Sequence, residues 1–300
     1  MPSPNIYINP FTDFGFKHLF GTEPNKILLQ HFLNELLYQE QGRIVDIQYL
    51  NTEHLGSTAP DRKAIFDLYC TNERGERFVV ELQKTKQKFF KDRSLYYATF
   101  PIKDQAQKGD DWNFELAHIY TIAILDFVFD DDKHSDKYRY DVKLTELETG
   151  EVFYDKLTFI YLSMPKFRKS LDELTSNFDK WLYAFKHLSE MDTVPNELNE
   201  QIFLQFFESA KIANFSPSEY KSYEDSLKYY RDLKNSLDTA REEGKEEGRV
   251  EGRAEGRAEG RAEGQIEKQF EIAKNLKALG LSFDLIKQST GLTYDELFKL

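Results

Sequence analysis

The chain has 300 residues, 40% of them hydrophobic and including 25 Phe and 17 Tyr, which excludes a wholly disordered protein and is enough to bury a substantial core in one domain with appendages, or in two. A net charge of −12 excludes a protein that coats nucleic acid through overall positive charge, but leaves room for local basic patches and bound cations to contact phosphates. The single cysteine, Cys70, excludes an intramolecular disulfide and a cysteine-rich zinc site.

The opening stretch MPSPNIYINPFTDFG lacks a basic start followed by an apolar core, so no signal peptide is expected. The longest apolar run, 119–129, is interrupted by Asp126 and is too short to cross a bilayer. The expectation is a cytoplasmic protein with no membrane partner. Within NPFTDFGFKHLFG, Asp13 and Lys17 are four apart and can pair on a helical turn, while Phe14, Phe16, Leu19 and Phe20 call for burial. This segment either docks on the core or lends Asp13 and Lys17 to a site wall. Residues 25–40 carry apolar residues at 27, 28, 32, 33, 36 and 37, the period of a helix with one broad apolar face, which Gly42 is placed to end. Glu35 lies just off that face, as a solvated carboxylate or one that reaches a site.

Residues 43–51 alternate as a strand, and 53–63 read as a loop that ends in the cluster Asp61, Arg62, Lys63. Residues 63–83, KAIFDLYCTNERGERFVVELQ, read as a hairpin with turn chemistry at Asn72-Glu73-Arg74-Gly75. A three-residue loop at 73–75 sets Asp67 opposite Glu81. Alternation then predicts Phe66, Leu68, Cys70, Phe78, Val80 and Leu82 on one face, and Asp67, Glu81 and Gln83 on the other. Two carboxylates across a hairpin beside an amide can hold a divalent cation. Carboxylates on the solvated face of a hairpin are the plainer account. Residues 84–93 hold five cations and one acid, either a solvated face or a phosphate anchor. A helix is predicted over 88–108 with Phe89, Phe90, Tyr97 and Phe100 toward its buried side, and Pro101 as a kink or early stop.

Residues 116–129 read as a strand buried on both faces, followed by strands at 137–147 and 152–163 joined at Thr149-Gly150. The order predicts a mixed sheet flanked by helices. Helical patterns fill 171–240, with Trp181, Phe185, Phe203, Phe206 and Phe207 supplying apolar faces. Residues 241–264 repeat every four residues with Gly at 244, 248, 252, 256, 260 and 264. Each Gly costs about 1 kcal/mol against Ala, so this stretch reads as a spacer or a long exposed helix; in a homo-oligomer its glycine stripe would admit a second helix. Residues 265–300 suggest three short helices with stops at Gly280 and Gly291, Ser282 as an N-cap, and a Thr293–Glu296 capping box. Five Lys against five Asp or Glu there favour a packing or protein-contact module over DNA binding.

Phosphodiester hydrolysis with Mg²⁺ needs carboxylates to hold the ion and a cation near the attacking water. Asp67 and Glu81 are candidate ligands, Gln83 a candidate for positioning water, and Lys63, Lys84 or Arg93 a source of positive charge. No HExxH, GxSxG, Walker A or GxGxxG sequence is present, and Cys70 falls on the predicted core face.

The stretches TDFGFKHLFG, DRKAIFDLYCTNERGERFVVELQ and DRSLYYAT, with the EG-rich repeats, resemble the Rpn family of recombination-promoting nucleases and transposases, within the PD-(D/E)XK nuclease superfamily. The resemblance implies an α/β, restriction-endonuclease-like αβββαβ core with a mixed sheet. The expected divisions are a nuclease-like domain at 1–165, a helical region at 166–240, the repeat at 241–264 and a helical module at 265–300. It implies an Mg²⁺-dependent DNA endonuclease linked to recombination or mobile elements, with catalytic acids at Asp67 and Glu81. The superfamily's lysine position is Gln83 here, and Arg93 matches a characteristic arginine of the family. Lys84 would point to the opposite face from Gln83 unless the strand ends or bulges. The alternative is a catalytically degenerate fold that binds DNA or a protein.

Overall fold

The computed structural model describes residues 5–37, 42–54, 64–106, 113–132 and 134–300. Thr12 caps the first helix, α1 (Asp13–Phe20), by accepting the Gly15 N–H at 2.9 Å. Helix α2 (Lys26–Leu37) buries Leu28, Leu29, Phe32, Leu33, Leu36 and Leu37. The apolar stripe therefore takes in Leu29 and leaves Ile27 exposed, rotated from the face predicted. Residues 38–41, between this helix and the stop expected at Gly42, lie outside the described residues.

Strand β1 (Ile47–Tyr49) is followed by two short strands, β2 (Glu53–His54) and β3 (Ala64–Ile65), which pair with each other in a separate two-stranded sheet. Part of the predicted loop is thus a second small sheet. Strands β4 (Leu68–Asn72) and β5 (Arg77–Gln83) form the predicted hairpin, with Cys70 opposite Phe78 and Leu68 opposite Val80. The turn holds because the Asn72 side-chain oxygen accepts the N–H groups of Arg74 and Glu76, both at 3.0 Å. Gly75 supplies the left-handed backbone, φ 78°, that this turn demands.

Helix α3 (Phe90–Asp104) leads to β6 (Ile119–Leu125), buried at every position, then β7 (Arg139–Thr145) and β8 (Val152–Ser163). The six-stranded sheet runs β1-β4-β5-β6-β8-β7, with β5–β6 and β6–β8 parallel and the remaining neighbours antiparallel. The order and mixed pairing are those of the expected α/β core.

One sheet face packs against α1, α2 and the helices that follow the sheet: α4 (Asn177–His187), α5 (Gln201–Ser209) and the beginning of α6 (Pro217–Ala278). Phe16, Leu33, Phe78, Ile122, Trp181, Phe206 and Tyr223 share that core. The helices after residue 166 therefore pack in the same core as the sheet. The other face receives α3, through Phe90, Ala98, Ala123 and Tyr161 and through Phe66, Tyr69, Val79 and Phe100. Phe66 was expected with Leu68 and Cys70 but packs on the α3 side. The strand is interrupted between β3 and β4, so alternation restarts at Leu68. Phe89, expected on the buried side of α3, precedes its first residue and is 64% exposed.

The chain forms two compact units, Met1–Arg231 and Asp232–Leu300. In the second, the end of α6 joins α7 (Phe283–Thr290) and α8 (Tyr294–Phe298) around Ala273, Ile286, Leu292 and Leu297. The Thr293–Glu296 capping box is present. Ser282 occupies the N-cap position without a side-chain capping bond. Residues 241–264 are helical and exposed throughout, and a Cβ on any of the six repeat glycines would meet nothing within 4 Å.

Two expectations follow. A Cβ at Gly15 would overlap the Asn9 carbonyl oxygen and lie 2.7 Å from Thr12 Oγ1, so Gly15→Ala should destabilise the first unit by about 1–3 kcal/mol in urea unfolding. Replacing the six repeat glycines by Ala meets no steric obstacle, and at about 1 kcal/mol per site should increase the far-ultraviolet helical signal that survives at elevated temperature.

Candidate active site

The interruption between β3 and β4 is where the site begins. The Phe66 N–H leaves the strand line to bond Thr52 O at 3.0 Å, and the chain turns before the β4 ladder starts at Leu68. Asp67 occupies that turn, one step beyond the Leu68–Val80 pair and so opposite Glu81. The two acids are tied across the strands in both directions. The Asp67 N–H donates to Glu81 Oε1 at 3.3 Å, and the Leu82 N–H donates to Asp67 Oδ2 at 2.7 Å.

Glu81 is buried and Asp67 half-buried. Burial pushes Asp67 above the usual carboxylate range, opposed by the Leu82 N–H and by Lys17. Burial first, and then the neighbouring Asp67, pushes Glu81 up to about 8, against the pull of Arg93. Like charges held together in a site of low polarity keep a proton between them unless a cation takes its place.

Gln83 follows Glu81 on the same strand face and is also buried. Its amide Nε2 donates to Thr85 O at 2.7 Å and its Oε1 accepts from Arg93 Nη2. Arg93, in the first turn of α3, also donates from Nη1 to Gln87 Oε1 at 2.7 Å, and its Nη2 lies 4.0 Å from Glu81 Oε2. Its guanidinium carbon sits 5.2 Å from the Phe90 ring centroid and 5.4 Å from that of Tyr97. Rings at i−3 and i+4 on the helix thus fix the guanidinium from two sides. Arg93 Nε is buried with no hydrogen-bond partner among the described residues. Gln87 and Tyr97 were not anticipated as supports of Arg93; the spacing 90–93–97 on the predicted helix was the available signal.

Asp13 and Lys17 form the expected ion pair, at 3.0 Å on α1. Their charges act on Asp67 in opposite directions, Lys17 lowering and Asp13 raising its pKa, so the wall formed by α1 does bear on the acids. Strand β5 ends at Gln83, which frees Lys84 from the alternation that would point it away. Its ammonium is disfavoured by burial and favoured by Asp13 and Asp67, and it lies 6.0 Å from the Tyr229 ring centroid. Asp61 and Lys63 lie outside the described residues. Glu35 is elsewhere, accepting from Asn177 Nδ2 at 3.3 Å. Lys86 pairs with Asp130. The Cys70 thiol is fully buried and pushed up to about 12, which suits an inert core residue rather than a nucleophile.

The donor set fits a hard divalent cation. It offers carboxylate oxygens without thiolate or imidazole, and Asp67 Oδ1 accepts no hydrogen bond from the described residues. Among the described residues, no group of three or more His, Cys, Asp or Glu is placed to share an ion. A cation here would depend on two acids, with water, main-chain or substrate oxygens completing its shell, as Mg²⁺ tolerates.

The family model described as PD-(D/E)XK nuclease family transposase matches residues 10–240. No curated protein and no solved structure matches the chain.

In the metal-free protein the folded acid pair keeps a proton that the unfolded chain has already released. Stability should therefore fall as pH rises from the ordinary glutamate range toward about 8. Glu81→Gln retains the oxygen that accepts the Asp67 N–H and removes one charge. The variant should have a flatter pH profile and, above pH 8, should exceed the wild type by an amount of order 2 kcal/mol in chemical denaturation.

Proposed function

The chain belongs to the PD-(D/E)XK nuclease family described as transposases, and from that premise we propose that it is an Mg²⁺-dependent DNA endonuclease. The observation that carries this reading is the reciprocal tie between half-buried Asp67 and buried Glu81, each accepting an N–H from the other's side of the hairpin. Nothing in the stability of a hairpin requires two acids to be drawn together in this way. As metal ligands they have a reason to be there.

Asp67 and Glu81 are the proposed ligands of the cation. When bound, Mg²⁺ supplies Lewis acidity toward the phosphate and lowers the pKa of a coordinated water. Gln83 is the proposed water-positioning group. Arg93 occupies one lone pair of Oε1 and leaves the second to accept a hydrogen bond from the attacking water, which it orients without taking its proton. Arg93 holds that amide in place and contributes positive charge beside Glu81, where charge on the phosphate grows in the transition state. Lys84 and Lys17 add positive potential on the side of Asp67. The proposed context is recombination or mobile-element DNA in the cytoplasm, with 241–264 as a route to homo-oligomers.

A second reading is a degenerate nuclease fold that binds DNA or protein without cutting. It draws support from Gln83 in the lysine position, with its amide committed to Thr85.

Purified protein should nick or cut DNA only with a divalent cation, and Asp67→Ala or Glu81→Ala should abolish cleavage. Arg93→Lys keeps the charge but loses the fork that reaches Gln83 and Gln87, so the rate should fall about 10- to 100-fold. Equal cleavage by wild type and Asp67→Ala would assign the activity to a contaminant. Absence of metal binding in calorimetry, with DNA binding retained, would select the second reading.

A further inference from the structure

One exposed large ring in the segment after β5 is one that sequence periodicity placed in the core. Phe89 is 64% exposed and Tyr96, seven residues on, is 42% exposed. With Gln87, Lys88, Asp92 and Arg93 they line a cleft of about 530 Å³. The Phe89 main chain is tied to the first turn of α3, its carbonyl accepting the Arg93 N–H at 2.9 Å. Lys88 Nζ stands 5.4 Å from the Phe89 ring centroid and makes no ion pair among the described residues.

The cleft shares Arg93 with the candidate active site, since Arg93 lines the one and contacts Gln83 of the other. An exposed ring with an ammonium over it that makes no ion pair among the described residues matches the two parts of a nucleotide, a base that stacks and an anionic phosphate that draws the ammonium off the ring. The Gln87 amide and the Asp92 carboxylate add a donor and an acceptor of the kind that meet base edges. In a continuous duplex the base faces are already stacked on one another, so a Phe ring takes a base most readily where a nucleotide is unpaired.

We propose that this cleft is a stacking subsite for an unpaired nucleotide next to the scissile phosphate, so that the enzyme takes single-stranded, flapped or frayed DNA in preference to continuous duplex. The position of the scissile phosphate rests on the nuclease reading of Asp67 and Glu81; the stacking itself does not. Asp92 repels phosphate, so the backbone runs along the Lys88 side and the base enters between the rings.

The test is binding by the full chain carrying Glu81→Gln, which needs no cleavage. Fluorescence anisotropy compares a labelled oligothymidine with a blunt duplex of equal length, and a 2-aminopurine oligonucleotide reports stacking directly. In this background Phe89→Ala should weaken single-strand binding about tenfold, reduce the single-strand preference and remove the 2-aminopurine quench. Phe89→Trp should retain all three. An unchanged preference and quench in Phe89→Ala overturns the proposal while the nuclease reading stands. So does loss of a dimer in sedimentation without effect on DNA, which would assign the ring to contact between copies. Loss of the quench in a protein whose wild type never cuts DNA keeps the subsite and rejects the nuclease.

Discussion

Two acids that repel each other are held together by main-chain N–H groups. Asp67 and Glu81 each accept one from the opposite side of the hairpin, and this pair of bonds is the constraint around which the site is arranged. It requires the strand to break at Asp67, because an unbroken ladder would spend the Asp67 N–H on a main-chain carbonyl. It requires the hairpin register to be exact, because a slip of one residue would turn Glu81 and Gln83 to the opposite face. The Asn72 turn and Gly75 set that register several residues away. Burial of β5 and β6 on both faces then holds the strands rigid.

Helix α3 provides the answering charge. A guanidinium facing a buried acid pair must itself leave bulk water, and Arg93 does so between the Phe90 and Tyr97 rings with Gln83 and Gln87 as acceptors. The cation is thereby fixed before any ligand arrives, which is the condition for electrostatic preorganisation. It also shows how a chain with net charge −12 can hold positive charge beside this acid pair. The acidity is global, while the positive potential lies in the few residues that follow β5.

The hairpin register was legible because turn chemistry fixes it locally, and the pairing of Asp67 with Glu81 followed from a loop centred on Arg74. The face of Phe66 was not legible, because period-two reasoning assumes an unbroken strand and nothing in FDLYC announces the interruption. Phe89 failed for a related reason: helical periodicity cannot say where the helix starts, and the first residue outside it obeys no period. On α2 one member of the stripe was exchanged, Leu29 for Ile27, since both are apolar and only tertiary packing separates them. The short β2–β3 pair was hidden by a stretch whose Gly, Ser and Pro read as loop. The interlocking of Gln83, Arg93 and Gln87 depends on rotamers and on the approach of α3 to β5, which spacing along the chain does not encode.

The repeat within α6 has a different kind of consequence. Every side chain from 241 to 264 is exposed, and its glycines face open space. Gain or loss of a whole tetrapeptide there removes no packing contact from the core of either unit. Nothing in the folding of those cores therefore sets the repeat number, and otherwise identical chains can differ in length at this point, in steps of four residues, as a length polymorphism invisible to their stability.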